Sequence, residues 1–589
     1  MSQNSIRLPQ FLAQTDELTS QLSAEELRTF IHEIARTFSE TNRSSFITKL
    51  QGMKESGKVA ADHENINHKI DIITQNLIKI QRGEISLDSK YNEEWDDWNN
   101  SDEEEFFFSD PHNLLEDVRQ AIEMIHTCID QEFFEKSSME LSELLSVLEV
   151  QTKGDYLDYN GNSLTICDIY VYGLLKGDYH RFVNECLYLT YMGTPAEKRP
   201  EKLYEMIKNM EDGQLVRLEE IMRLGNGELP ESDRFLKDWL RYLGNQDGRR
   251  AERLLTEVQS MISDDKVLLE NARIFAKNHP SLYLSYLREK KSTQNAKYLW
   301  SVGCEALAEI PVSYVIRAQI ALLTADYANQ LQQREKAEWC WLEAFRSDTS
   351  VINYMRLRFE MSDWKWYKEK IRNIIEDRFQ NSKTQSEWMV SDECQKNLVF
   401  RNTYCTLMYL EQDFEQMRNI GMTTKAPLGW SGTFMKEGIS LMLLLLYADN
   451  VENDKLSAGL KEMQDRAISA CSFRPEEYMQ GVNESRNTVL NSLFDGLFSR
   501  WKSTVSMAEE EQKRWIQRID HWMEYRIQGI MQESRRNYYG ECAAFLAALG
   551  EVLESRGESG AKGRYFERYR SKYPRRRSFI EAMRRYGMM

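Results

Sequence analysis

The spacing of small and aromatic residues in the middle of the chain constrains its fold more than any other feature. In VIRAQIALLTADYANQLQQREKAEWCWLEAFRSDTS, Ala325 and Tyr327 precede a polar turn, and Ala337, Trp341 and Ala344 follow it at helical spacing. Just before it, HPSLYLSYLREKKSTQNAKYLWSVGCEALAEIP gives a short apolar segment, a polar turn, then Ala296, Trp300 and Gly303 at the same offsets, ending at Pro311. Just after it, SVINYMRLRFEMSD and WKWYKEKIRNIIEDRF continue the alternation more loosely. Apolar residues recurring every three or four positions line one face of a helix. Small residues on that face let two antiparallel helices approach closely, so Ala296 and Ala337 are expected to be buried where paired helices meet.

Stacked pairs of this kind predict a tetratricopeptide-like α-solenoid. The rest of the chain has the same period. LSAEELRTFIHEIARTF opens with Ser23 and Glu26 at capping-box spacing and puts Leu27, Phe30, Ile31 and Ile34 on one face. LLEDVRQAIEMIHTCIDQEFF does likewise with Leu115, Val118, Ile122, Ile125 and Ile129. The best hairpin signal is the Asn160-Gly161 turn in DYLDYNGNSLTI, read here as a loop between helices. The expected fold is therefore all-α: an N-terminal helical region (1–90), an acidic aromatic linker (91–111), a second helical region (112–270), the α-solenoid (271–553) and a basic C-terminal segment (554–589).

A net charge of −17 on 589 residues argues against a body that binds nucleic acid or an anionic membrane. The nine cysteines are scattered and sit mostly in apolar helical patterns; Cys304 and Cys340 read as small core residues in a reducing compartment. The first residues lack a basic region followed by an apolar run, and the longest apolar stretch, GISLMLLLLYA, is too short to cross a bilayer. It predicts a buried helix, and the chain is expected to be cytoplasmic.

Two oppositely charged stretches stand out. YNEEWDDWNNSDEEEFFFSDP (91–111) holds nine carboxylates and no Lys or Arg. Its charge alone suits a solvated spacer, but a spacer has no need of Trp95, Trp98, Phe106, Phe107 and Phe108, which are candidates to anchor it in a groove of this chain or of a partner. It lacks the D-x-D-x-D-G turn of a calcium loop. The end, GAKGRYFERYRSKYPRRRSFIEAMRRYGMM, carries ten Lys or Arg against two Glu, and its Arg575, Arg576 and Arg577 are candidate partner-binding residues. Cations interleaved with Tyr565, Phe566, Tyr569 and Tyr573 suit single-stranded nucleic acid. Alternatively the cations dock on the acidic body or on the 91–111 stretch, which makes that stretch and this tail candidate partners of each other, and the aromatics fill a last helix pair.

Chemistry is otherwise sparse. There is no C-x-C or C-x-x-C pair, and Glu123-x-x-His126 occurs once without the partners that a di-iron bundle requires, which leaves His126 a surface or interface residue. RLGNGELPESD lacks the P-loop pattern, and PLGWSGTF lacks G-x-S-x-G, leaving Ser431 a turn residue. No metal, cofactor or catalytic residue is expected, and the chain reads as a non-enzyme. AKNHPSLYLSYLREK, LWSVGCEALAEIPVSYVIRAQIALLTADYA, WLEAFRSDTSVINYMRLRF and the ending YRSKYPRRRSFIEAMRR resemble the helical region of bacterial SWIM zinc-finger-associated proteins, as does the acidic EEWDDW. That family's C-x-C…C-x-H finger is missing here. The resemblance thus implies a scaffold acting with a finger-bearing partner encoded separately. The functional expectation is a protein-interaction scaffold that binds a partner helix or peptide. The alternative is a nucleic-acid-associated accessory protein working through the basic C-terminal segment.

Overall fold

The computed structural model describes residues 22–37, 59–93, 105–157, 161–210, 216–225, 229–292, 294–383, 394–421, 434–448, 456–470 and 486–588. Contacts divide the chain into two compact units, Met1–Leu282 and Tyr283–Met589. Both are mostly helical, as the periodicity predicts. No described helix is long and apolar enough to cross a membrane.

In the first unit, α1 (Ala24–Thr37) begins at the expected capping box: Glu26 N donates to Ser23 Oγ at 3.3 Å and Ser23 N to Glu26 Oε2 at 2.8 Å. Its Phe30, Ile31 and Ile34 stay partly exposed to solvent. The helices α2 (Val59–Gln81), α3 (Leu114–Asp130) and α4 (Lys136–Ser146) pack together, and α3 and α4 also meet the later helix Tyr179–Gly193.

Between them lies a sheet that an all-α chain would not contain. It has the order β2-β1-β3-β4, from β1 (Leu87–Tyr91), β2 (Phe106–Ser109), β3 (Glu149–Gly154) and β4 (Ser163–Thr165). β1 runs antiparallel to β2 and parallel to β3, and β3 runs antiparallel to β4 with Val150 opposite Leu164. Gly161 therefore does not lie between two helices but on the connection between β3 and β4, and Asn160 is outside the described residues. Buried Val150 and Thr152 alternate with more exposed neighbours, the period-2 pattern of a strand, but over too few residues to stand out from the helices around them. Gly154 is obligatory. Its φ is +114°, and a Cβ there would run into the Ser89 carbonyl oxygen. The unit continues through α5 (Ile166–Val171), α6 (Tyr179–Gly193), α7 (Arg199–Asn209), α8 (Leu218–Met222), α9 (Ser232–Leu243), α10 (Arg249–Met261) and α11 (Asp265–Ile274). α12 (Ser281–Glu289) spans the boundary between the units.

The second unit contains the repeat-bearing stretch: α13 (Ala296–Glu309), α14 (Ile316–Gln330), α15 (Arg334–Ser347), α16 (Val351–Glu360) and α17 (Trp364–Ser382), each packed on the next. Ala337 and Ala344 are fully buried, as expected. Ala296 is not: it is the first residue of α13, next to the Asn295 cap, and only half-buried, because the crossing with α14 lies further along at Gly303. Arg317 ties three of these elements together. Its guanidinium reaches Leu307 O at 2.8 Å, Glu343 Oε2 at 2.7 Å and Ser347 Oγ at 2.8 Å, all out of solvent.

Next come α18 (Arg401–Leu410), α19 (Phe414–Gly421), α20 (Leu441–Leu446), α21 (Ala458–Ala470), α22 (Arg486–Lys502), α23 (Glu509–Gln532), α24 (Tyr539–Ser555), α25 (Ala561–Lys572) and α26 (Arg577–Arg585). Every residue of α20 is buried, which matches the reading of the leucine run as a core helix. The stacking does not simply continue: α22 folds back, with Trp501 Nε1 on Leu410 O at 2.9 Å and Arg500 on Phe359 O at 3.1 Å. One hydrophobic cluster consequently runs from Ala325 to Val552.

Candidate interaction surface

The two tryptophans of the acidic stretch, Trp95 and Trp98, lie outside the described residues. The three phenylalanines form the edge strand β2, where side chains alternate between faces. Phe106 packs edge-on to Tyr91 and Tyr156 at 5.5 and 5.2 Å, and Phe108 packs on Tyr156 and Tyr172 at 5.5 and 5.0 Å. Both anchor the strand to its own unit, leaving Phe107 exposed on the other face.

The basic end is a helix pair with a filled core. Phe566, Tyr569, Phe579 and Met583 are buried with Ile527, Ile530 and Ala543 of α23 and α24. Some of its cations meet acids of the body: Arg568 and Lys572 reach Glu524 at 2.6 and 2.9 Å, and Lys562 reaches Glu551 at 3.2 Å. Arg576 donates to Met531 O at 2.8 Å, while Arg575 and Arg577 remain exposed.

A different surface lies on the repeat-bearing helices. Two tryptophans separated by one residue on a helix sit about 200° apart, so when one faces the core the other is forced outward. This happens twice. Trp341 packs inward on α15 while Trp339 is 42% exposed; Trp364 stacks edge-on to Tyr354 at 5.6 Å on α17 while Trp366 is 68% exposed. The two helices that carry the outward indoles are tied to each other at one point. Glu338, beside Trp339, accepts hydrogen bonds from Ser362 N at 2.9 Å and Ser362 Oγ at 3.1 Å, holding the start of α17 against α15. Asp363 then caps α17 by accepting from Trp366 N at 3.2 Å. On the other side Lys336, one turn from Trp339, places its ammonium 3.9 Å from the ring centre of Trp300 on α13. Indole rings are thus offered at Trp300 under Lys336, at Trp339 and at Trp366, where Tyr367 lies edge-on at 4.5 Å. The signal is present in AEWCWLEA and DWKWYKEK, because a Trp341 that faces the helix pair forces Trp339 outward.

In the first unit, α6 carries a polar joint. His126 of α3 lies 3.1 Å from Glu185 Oε1 and 3.3 Å from Asp130 Oδ2, and Arg181 Nε reaches Glu185 at 2.8 Å. The hydrogen bond to Glu185 raises the His126 pKa against the opposing effect of burial. Burial pushes Glu185 up, but its bonds from His126 and Arg181 outweigh that and hold it below the usual carboxylate value. The arrangement is an ion-pair joint between α3 and α6. Among the described residues no three His, Cys, Asp or Glu side chains gather into a set able to hold a metal ion. The described cysteines are free and buried or half-buried; burial pushes the Cys340 and Cys304 thiols up to about 12 and about 11, which disfavours the reactive thiolate. No protein-family model and no curated protein matches this chain, and the resemblance to finger-associated proteins rests on the segments quoted above.

Proposed function

We propose that this chain is a non-enzymatic, cytoplasmic protein-interaction scaffold whose tetratricopeptide-like helix pairs present the Trp300–Trp339–Trp366 surface to a protein partner. The observation that carries the reading is the pair of outward indoles on α15 and α17, two helices tied together through Glu338 and Ser362. Each exposed tryptophan leaves a large apolar area in water, and burying it in a partner is the commonest single source of binding energy at protein interfaces. The rigid helices beneath hold the rings in place before binding, so little conformational entropy is lost. The occupant is a helix or extended peptide laid across α15 and α17, and the resemblance suggests a separately encoded finger-bearing protein. Binding through the basic end to single-stranded nucleic acid is less favoured, since Phe566 and Tyr569, which would stack on bases, are buried.

The test is affinity capture from native extract with the wild type and with Trp339→Ala/Trp366→Ala, each with and without nuclease. A specific protein that is retained by the wild type after nuclease and lost with the double variant supports the proposal. Equal capture by both proteins, or loss of all bound material on nuclease treatment, refutes it. Because both indoles face water, the double variant keeps the wild-type melting temperature.

A further inference from the structure

We infer that arginines from two neighbouring turns at the C-terminal end of the second unit form a docking surface for a carboxylate-rich stretch of a partner polypeptide. The turn between α23 and α24 carries Arg535 and Arg536; the turn between α25 and α26 carries Arg575 and Arg576, and Arg577 opens α26. These turns are far apart in sequence but joined in space. Arg576 donates to Met531 O at the end of α23, and Tyr539 and Phe579, which follow the two turns, meet edge-on at 5.6 Å.

The two joined turns therefore carry five arginines, of which Arg535 pairs with Glu533 at 3.4 Å. Arg535, Arg536, Arg575 and Arg577 are exposed. None of the ion pairs among the described residues involves Arg536, Arg575 or Arg577, whereas Arg568, Arg570 and Lys572 of the preceding helix are all matched. The contrast is internal to one helix pair: along α25 the cations meet acids of α23 or of α25 itself, whereas Arg536, Arg575 and Arg577 at the turns meet none among the described ion pairs. Like charges held together raise the energy of the folded chain, and an anion binding there relieves the repulsion.

The chemistry favours carboxylates on a peptide over the phosphates of a nucleic acid. Single-strand binders pair a basic track with exposed aromatic platforms. Here Phe566, Tyr569 and Phe579 are buried, and Tyr573 and Tyr538 are half-buried. The patch is compact, and the whole chain carries −17, which repels a long polyanion. A short acidic segment responds mainly to charges within about 8 Å at physiological salt. Arginine's planar fork also pairs with a carboxylate through two parallel hydrogen bonds. This surface is separate from the indole face and does not depend on it.

The probe is a fluorescently labelled synthetic peptide, NEEWDDWNNSDEEE, whose anisotropy is followed on titration with the full chain. Saturable binding that weakens as salt rises through ~0.15 M is expected, where screening falls within the size of the patch. Replacing Arg535, Arg536, Arg575 and Arg577 by Gln weakens it by about tenfold or more, the loss of several charge-assisted hydrogen bonds. Arg568→Gln/Lys572→Gln, which removes cations already paired, leaves it within about twofold. Arg576 is retained because it holds the two turns together. Should the fourfold variant lose its fold, Arg575→Glu alone supplies the same readout. Absence of saturable binding at low salt, or equal binding by the variants, overturns the inference. Tighter binding of a single-stranded oligonucleotide of equal charge also overturns it, reassigning the surface to nucleic acid.

Discussion

Gly303 decides whether α13 and α14 meet as closely as the repeat pattern requires. At an exposed helix position, replacing Gly by Ala stabilises by about 0.5–1 kcal/mol, because glycine loses more backbone freedom on folding. At Gly303 a Cβ would lie 2.8 Å from Thr324 Cγ2 and 2.9 Å from Thr324 Cβ, and closer still to Oγ1, where ordinary contact begins near 3.4 Å. Thr324 has no room to yield: it is fully buried, and Oγ1 donates to Ile320 O at 2.7 Å. Overpacking of this kind costs about 1–3 kcal/mol, so Gly303→Ala should destabilise by about 1–2 kcal/mol net of the helix gain. The assay is urea unfolding of the full chain followed at the repeat-bearing unit. In a Thr324→Ala background, which removes both offending γ atoms, the same substitution should cost less, with a coupling of about 0.5–2 kcal/mol. If Gly303→Ala instead stabilises the protein equally in both backgrounds, the close crossing of α13 on α14 is wrong.

Two further outcomes follow from buried charge and from titration. Arg317→Met should cost about 3 kcal/mol by leaving Glu343 with only Arg346, and Arg317→Met/Glu343→Leu should cost less than the single change, as for other buried pairs; denaturant midpoints of the three variants check the order. His126 titrates higher when folded than when unfolded, so its joint to α6 contributes fully below about pH 6.5 and is lost as pH rises through the raised folded value. His126→Gln should therefore flatten the fall in stability as pH rises above about 6.5, and a curve parallel to the wild type's would contradict the pairing with Glu185.

What the sequence made legible was whatever repeats over several turns. The helices from α13 to α17 declare themselves over ten or more residues, and the capping box at Ser23 and the leucine run of α20 by local patterns that need no distant partner. The sheet does not, because its strands are three to six residues long and two of them draw their partners from across α3 and α4. Strand pairing at that distance leaves no local periodic mark. Phe106 and Phe108 illustrate the consequence: in a run of three phenylalanines no spacing distinguishes the residues a strand buries from the one it exposes. The indole surface was legible in part, since a helical W-x-W pair must expose one ring, but which helices lie side by side is a tertiary fact. The arginine patch was legible in one half only. RRR announces itself at 575–577, whereas Arg535 and Arg536 join it through the return of the chain after α24.

Whether Trp339 and Trp366 face a protein partner can be read in living cells by site-specific photocross-linking. A photoreactive phenylalanine analogue is placed at 339, at 366 and, as a control of comparable exposure, at Tyr525 on α23. Positions 339 and 366 should capture the same discrete protein, and position 525 should not. Capture of nothing at either tryptophan position, or the same products from all three, would contradict it.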